Sequence, residues 1–135
     1  MPALTVRVVP GAYAVCRLAP TASTPAWAMN AAGVTSITRT ADELSIVCDE
    51  SAAPADVKAE RGWALLKLDG PFDFSAVGIL ASFLQPLAAA GIGVLALGTF
   101  DTDYVLVKQP QLATAIDALR AAGIDVLHPR SQRHL

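Results

Sequence analysis

Histidine and cysteine are scarce in this chain, with two of each among 135 residues. Cys16 and Cys48 stand in apolar, strand-like runs without CxxC spacing, so they read as small buried hydrophobes rather than metal ligands or a disulfide framework. Both histidines, His128 and His134, fall near the C-terminus, and Ser75 and Ser82 have no histidine at a readable position. A nucleophilic triad cannot be assembled from this spacing, and catalytic residues, a metal and a cofactor are not expected.

Excess positive charge is missing as well. Ten Lys and Arg stand against twelve Asp and Glu, a net charge of -2, and no basic run lies between aromatics. That composition cannot supply the field a phosphate backbone requires, so nucleic acid is not an expected partner. Arg130, Arg133 and His134 cluster at the C-terminus and read as a charged tail. The N-terminus passes from Met1-Pro2 to Arg7 in a short alternating run, without the basic and apolar regions of an export signal. Free cysteines and no signal predict a cytoplasmic location.

Charge of either sign is absent from Phe74 to Phe100, a length that could cross a bilayer. Gln85-Pro86 and Gly91-Ile-Gly93 interrupt the run, however, and both flanks, Asp73 and Asp101, are acidic. A helix followed by a buried strand is the expectation, and no membrane association. The Gly91-Ile-Gly93 stretch follows a helix and precedes a strand, the wrong order for a dinucleotide loop.

What the chain does contain is 53% hydrophobic residues, enough for one domain or two small modules sharing a core. It also contains a repeat. Gly93-Val-Leu-Ala-Leu-Gly-Thr-Phe-Asp-Thr-Asp-Tyr-Val-Leu-Val107 is echoed by Gly33-Val-Thr-Ser-Ile-Thr-Arg-Thr-Ala-Asp-Glu-Leu-Ser-Ile-Val47, and Trp63-Ala-Leu-Leu-Lys-Leu68 by Tyr13-Ala-Val-Cys-Arg-Leu18. Two modules are expected, 1–60 and 61–135, the first with a shortened connector.

Leu4 to Val9 and Tyr13 to Leu18 read as strands around a Pro10-Gly11 turn. Thr24-Pro25 opens a short helix to Asn30. Val34 to Thr40 and Leu44 to Cys48 form a hairpin with Leu44, Ile46 and Cys48 on one face, and Ser51 to Glu60, with Pro54 near its start, gives at most a turn or two of helix. In the second module, Ala64 to Leu68 is a strand and Gly70-Pro71 a turn, and Asp73 or Ser75 caps a helix whose apolar face runs from Ala76 to Leu87 and ends at Gly91. Gly93 to Thr99 is apolar enough to be a central strand. Tyr104 to Lys108 returns antiparallel, Pro110 opens a helix carrying Leu112, Ile116 and Leu119, Gly123 ends it, and Ile124 to Leu127 closes the module. Both modules thus follow a βαββαβ, ferredoxin-like order with antiparallel sheets and helices on one face, in the α+β class.

Gly98-Thr-Phe-Asp-Thr-Asp-Tyr-Val-Leu-Val107, preceded by Gly78-Ile79, resembles the ACT domain family. Ser36-Ile-Thr-Arg-Thr40, Asp42-Glu-Leu-Ser-Ile-Val47 and Gly62-Trp63 ahead of Gly70-Pro71-Phe72 are similar to small bacterial proteins with paired ACT-like modules, grouped with aspartate-kinase regulatory domains and CASTOR-type arginine sensors. The resemblance implies a non-enzymatic regulatory module that binds an amino acid or similar metabolite between modules. It implies Gly78, Ile79, Thr99, Phe100, Thr102 and Asp103 as the ligand-binding residues. Backbone N–H groups at the helix start would attract a carboxylate, and Asp103 would pair with a cationic group.

Against that stands the plain reading of Asp101-Thr-Asp103 as a hairpin turn, since Asp and Thr favour turns. The stretch lacks the turn glycine and distal glutamate of a calcium loop. Trp27 and Trp63 are expected as core or interface anchors, and Arg39, aligned with Thr99 by the repeat, as a ligand cap or, preferably, a partner of Asp42 or Glu43. Exposed sheet edges and the Val94 to Leu97 strand suggest a homodimer. The alternative function is a structural protein-interaction module without a ligand.

Overall fold

A single strand sets out the plan of the molecule. In the computed structural model, which describes residues 4–69 and 78–129, β1 (Thr5–Leu18) runs unbroken through Pro10-Gly11, where the sequence predicts a turn. Gly11 adopts φ 94, a conformation glycine takes without penalty, and the chain passes through instead of reversing. The strand serves two compact units: the described residues up to Pro10 fold with those from Ala64 onward, and Gly11–Trp63 form the other. The division expected at 60/61 therefore moves to 63/64, and the N-terminal strand segment joins the second unit.

In the Gly11–Trp63 unit the rest of β1 is followed by α1 (Ala26–Met29), β2 (Ser36–Arg39), β3 (Leu44–Asp49), a 3₁₀ turn at Glu50–Ala52 and the start of β4 (Ala59–Leu68), with strand order β2-β3-β1-β4. The antiparallel register runs from Tyr13↔Asp49 to Leu18↔Leu44. Period-two alternation then puts Ala14, Cys16, Leu44, Ile46 and Cys48 in one cluster beneath Ala28 and Ala53, as the sequence predicts. Burial pushes both thiols up, Cys48 to about 11, which leaves them as core residues.

The connectors of this unit are short: α1 is closed by the Met29 N–H to the Pro25 carbonyl and the Asn30 N–H to the Ala26 carbonyl, and side chains secure the connector after β3. Pro25 is the residue before α1 rather than its first member, and Thr24 supplies no cap. Asp49 accepts from the Ser51 N–H at 2.9 Å, Arg61 donates to the Pro54 carbonyl at 2.6 Å, and the Gly62 N–H donates to Glu50 Oε1 at 2.6 Å. On the other side of the strands, Tyr13 is buried and its hydroxyl accepts from the Val34 N–H at 3.2 Å.

The other unit takes the first half of β1, the second half of β4, α2 (Ile79–Ala89), β5 (Leu95–Gly98), β6 (Asp103–Lys108), α3 (Leu112–Ala121) and β7 (Asp125–Leu127), in the order β7-β1-β4-β6-β5. β5 and β6 are antiparallel, whereas β7 pairs β1 in parallel, so the sheet is not purely antiparallel as expected. Val6, Leu66, Leu68, Val105 and Val107 from the strands meet Phe83, Leu87, Ile116 and Leu119 from the helices in one core. Both helices close in the same way. The Ile92 N–H donates to the Leu87 carbonyl past Gly91 (φ 75), and Ile124 to Leu119 past Gly123 (φ 87), each pair burying its isoleucine against the helix end.

Two expectations for this unit change. β5 is an edge strand, not a central one: its small side chains read as buried, but Ala96 and Gly98 are exposed. The described helix runs from Ile79, and Pro110 lies in a 3₁₀ turn, Gln109–Gln111, ahead of α3 rather than in its first turn. The Gly70-Pro71 turn, the Asp73 or Ser75 cap, Ala76, and the Arg130, Arg133 and His134 tail lie outside the described residues. Among the described residues no helix is long and apolar enough to cross a membrane. The class is α+β, with helices packed on a largely antiparallel sheet.

Candidate functional site

The hairpin joining β5 to β6 is closed by threonine. The Thr99 N–H donates to the Thr102 carbonyl at 2.8 Å, the Thr99 hydroxyl donates to the same carbonyl at 3.0 Å, and the Thr102 N–H donates back to Thr99 Oγ1 at 3.2 Å. Thr102 is itself buried, and its hydroxyl donates to the Leu68 carbonyl at 2.7 Å. That bond ties the turn to the end of β4 and occupies the only proton Thr102 can donate from its side chain.

So fixed, the turn raises Phe100 to 79% exposure at its crest. Asp103 begins β6 opposite Gly98, and a Cβ on Gly98 would stand 3.4 Å from Asp103 Oδ1. The carboxylate therefore lies beside backbone that glycine leaves bare. Gly98 was not among the expected site residues, and its sequence signal is an isolated glycine inside a strand, which marks close approach by a neighbour.

Gly78 and Ile79 stand at a different element of the same unit. Gly78 precedes α2 with φ 81 and ψ 3, and the first helical bond runs from the Ser82 N–H to its carbonyl at 2.9 Å. The N–H groups at this end have no acceptor within the helix. Space beside Gly78 is open, and it lines a shallow groove of about 600 Å³ with Ala81, Ser82 and Gln85. Ile79 packs its side chain on the core, leaving its backbone as the part that could face a ligand. Of the six expected residues, four are thus brought into one turn and two lie at the helix start.

Near the end of β4, Arg7 grips Asp69 through two bonds, Nε to Oδ1 at 3.1 Å and Nη2 to Oδ2 at 3.2 Å. Hydrogen bonding to this guanidinium holds the Asp69 carboxyl below its usual range.

The repeat also corrects its own alignment. The Thr40 N–H donates to the Glu43 carbonyl at 2.9 Å and the Glu43 N–H to Thr40 Oγ1 at 3.2 Å, the pattern seen at Thr99 and Thr102. Strand registers agree, Arg39↔Leu44 in one unit and Gly98↔Asp103 in the other. Thr40, not Arg39, therefore corresponds to Thr99, and Leu44 corresponds to Asp103. Nor does Arg39 pair with Asp42 or Glu43: its guanidinium donates to the Pro20 carbonyl and, at 2.7 Å, to the Ala22 carbonyl. Among the described residues no group of three or more His, Cys, Asp or Glu could hold a metal ion.

Residues 58–121, the stretch that holds the hairpin and α2, match the family model of the ACT domain. That stretch is an ACT domain. Residues 11–56 match a separate model of an N-terminal domain. A crystal structure of a protein from Agrobacterium tumefaciens is similar over 100% of both chains, at 39% identity and TM-score 0.91. The cytosolic arginine sensor for mTORC1 subunit 1 of Rattus norvegicus is 32% identical over 85 residues, 57% of this chain and 26% of the sensor. This chain thus matches about a quarter of the length of that curated relative. Aspartate kinase of Clostridium acetobutylicum shares the fold at TM-score 0.63 and 12% identity, over 89% of this chain and 34% of the kinase.

Proposed function

We propose that this ACT protein is a non-enzymatic cytoplasmic sensor or regulatory module that binds an amino acid or similar small metabolite. Its ligand site is built from the Gly78-Ile79 backbone and from Thr99, Phe100 and Asp103, with Thr102 holding the turn in place. The observation that carries this reading is the Thr99–Asp103 hairpin, which lies inside the matched ACT segment and sets a carboxylate beside bare backbone at Gly98. Asp103 would pair with the ligand's cationic group and the N–H groups before Ser82 would receive its carboxylate.

The two units are each read as a ferredoxin-like module. In the order β4-β1-β3-β2, the Gly11–Trp63 unit places its fourth, first, third and second strands as that fold requires. The other unit follows the same plan from β4 to β7, with the first half of β1 inserted between its fourth and first strands. A homodimer completes the reading.

A thermal-shift screen of the full chain against the proteinogenic amino acids tests the sensor. A ligand at one hundred times its dissociation constant stabilises the fold by about 2.7 kcal/mol, a shift of several degrees at this size. Asp103→Asn is expected to abolish it. No shift with any amino acid would favour the structural interaction module instead.

A further inference from the structure

Among the described residues six glycines stand at positive φ, and only two of them, Gly11 at 94 and Gly62 at 78, lie inside strands. Those two mark the places where the chain passes from one unit to the other, between Pro10 and Gly11 in β1 and between Trp63 and Ala64 in β4. Packing calls for glycine at neither. A Cβ at Gly62 would meet nothing within 4 Å, and one at Gly11 would meet only Asp49 Oδ2, at an ordinary 3.7 Å. Backbone conformation is therefore the reason for both, since φ in this range is strained for a residue with a side chain.

The ladder is irregular over the same stretch. The Asp69 N–H donates to the Thr5 carbonyl at 2.8 Å and the Arg17 N–H to the Lys58 carbonyl at 2.9 Å, which fixes both ends of the pairing between β1 and β4. From Thr5 to Arg17, β1 takes one residue more than β4 takes from Lys58 to Asp69, so the pairing holds a bulge on β1. Pro10 has no N–H to donate, and the Gly62 N–H gives its one proton to a side chain, Glu50 Oε1 at 2.6 Å. Arg61, the residue before, donates to the Pro54 carbonyl at 2.6 Å. The connector that follows β3 thus braces β4 where it crosses.

We propose that the paired crossings at Gly11 and Gly62 form a two-strand hinge on which the two units turn, with the Glu50 carboxylate as its latch. A hinge is a few residues that absorb a change of φ and ψ while the elements on either side keep their shape. Glycine absorbs such a change at the lowest steric cost, and a bulge provides for it inside a strand, where regular pairing resists bending. Both strands need a hinge point, because a rigid strand beside a flexible one would hold the units fixed. An N–H held by a carboxylate makes one of the stronger protein hydrogen bonds, so Glu50 decides how freely the β4 half of the hinge moves. Such motion belongs to the scaffold and does not require the ligand.

Distances between spin labels on the two units of the full chain test this, with Thr38→Cys in β2 and Thr114→Cys in α3 as exposed label sites. Cys16 and Cys48 are buried and their thiols are pushed up, so they stay unlabelled. Glu50→Ala is expected to broaden the distance distribution, and Glu50→Gln, which keeps an acceptor for the Gly62 N–H, to return it towards the wild type. Amide exchange at Gly62 is expected to quicken at least about tenfold in Glu50→Ala. Gly62→Asn, a residue that takes positive φ but moves less freely than glycine, is expected to narrow the distribution. A pair within one unit, Thr38→Cys with Lys58→Cys, is expected to stay the same in every variant, and a cooperative melt shows that each is folded. A folded Glu50→Ala protein with the wild-type spread between units overturns the proposal, and so does a single-unit pair that broadens with it, which would make Glu50 a support of its own unit. If Glu50→Ala does not fold, Gly62→Asn decides, and an unchanged spread there overturns the hinge.

Discussion

The turns at Thr40–Glu43 and Thr99–Thr102 are closed by the same threonine hydrogen bonds, yet the other residues of the proposed site on the hairpin have unlike counterparts. Where one unit has Asp103 half-exposed, the other has Leu44 fully buried. Where one has Gly98, the other has Arg39, folded back on the carbonyls of Pro20 and Ala22. The exposed Phe100 corresponds to Ala41. Helices of eleven and ten residues in one unit correspond to connectors of four and three in the other. A duplicated scaffold can thus keep its turn geometry while one copy commits the matching side chains to its own core.

The sharpest way to break this comparison is to exchange the corresponding residues. Leu44→Asp loses a packed leucine and buries a carboxylate among Cys16, Ile46 and Cys48, and is expected to cost about 4 kcal/mol or more by chemical denaturation. Asp103→Leu, at a half-exposed strand start, is expected to change stability by less than about 1 kcal/mol. Comparable losses in the two variants would mean that the two positions do not correspond.

Next in size is a glycine contrast. A Cβ at Gly33 would stand 2.6 Å from the Tyr13 hydroxyl at φ 75, while Gly91, also at φ 75, has nothing within 4 Å. Gly33→Ala is expected to cost about 2–3 kcal/mol, from backbone strain and a displaced buried tyrosine, and Gly91→Ala only about 1 kcal/mol from strain alone. Equal melting shifts would show that Tyr13 can move aside freely.

How much of this was legible follows from the range of the interactions. The inward face of Leu44, Ile46 and Cys48 and the helix-ending roles of Gly91 and Gly123 depend on neighbours within a few residues, and the sequence pattern carries them. The edge position of β5 depends on which strands pair, and an all-apolar run reads alike whether it is covered or bare. The repeat was visible, but a residue-by-residue match favoured Gly33 against Gly93, one place away from the strand register. The Thr102 to Leu68 bond crosses 34 residues, and Arg39 was expected to seek a carboxylate but found two carbonyls. Of the candidate site, the turn was legible and its anchoring was not.

That anchoring separates the two turns again. Thr102→Val removes a buried hydroxyl and its bond to the Leu68 carbonyl, at an expected cost of about 1–3 kcal/mol, and Thr102→Ser should restore most of it. Glu43→Val, at the matching and half-exposed position, should stay within about 0.5 kcal/mol. If amide exchange at Thr102 and Asp103 does not rise in Thr102→Val, the bond is not what holds the turn.

The smallest expected effect lies at the exposed end of β4. The Asp69 carboxyl is depressed first by its hydrogen bond to Arg7, so the folded state favours its charged form more than the unfolded chain does. Its contribution to stability is then fully present above the unfolded carboxylate value of about 3.9, and it is lost as pH falls through the lower folded value. Because the pair is exposed and screened by salt, the expected effect is slight. Asp69→Asn should lower stability slightly at neutral pH and converge with the wild type in acid at low ionic strength. A constant gap between the two proteins across that range would mean that Arg7 and Asp69 contribute by packing rather than by charge.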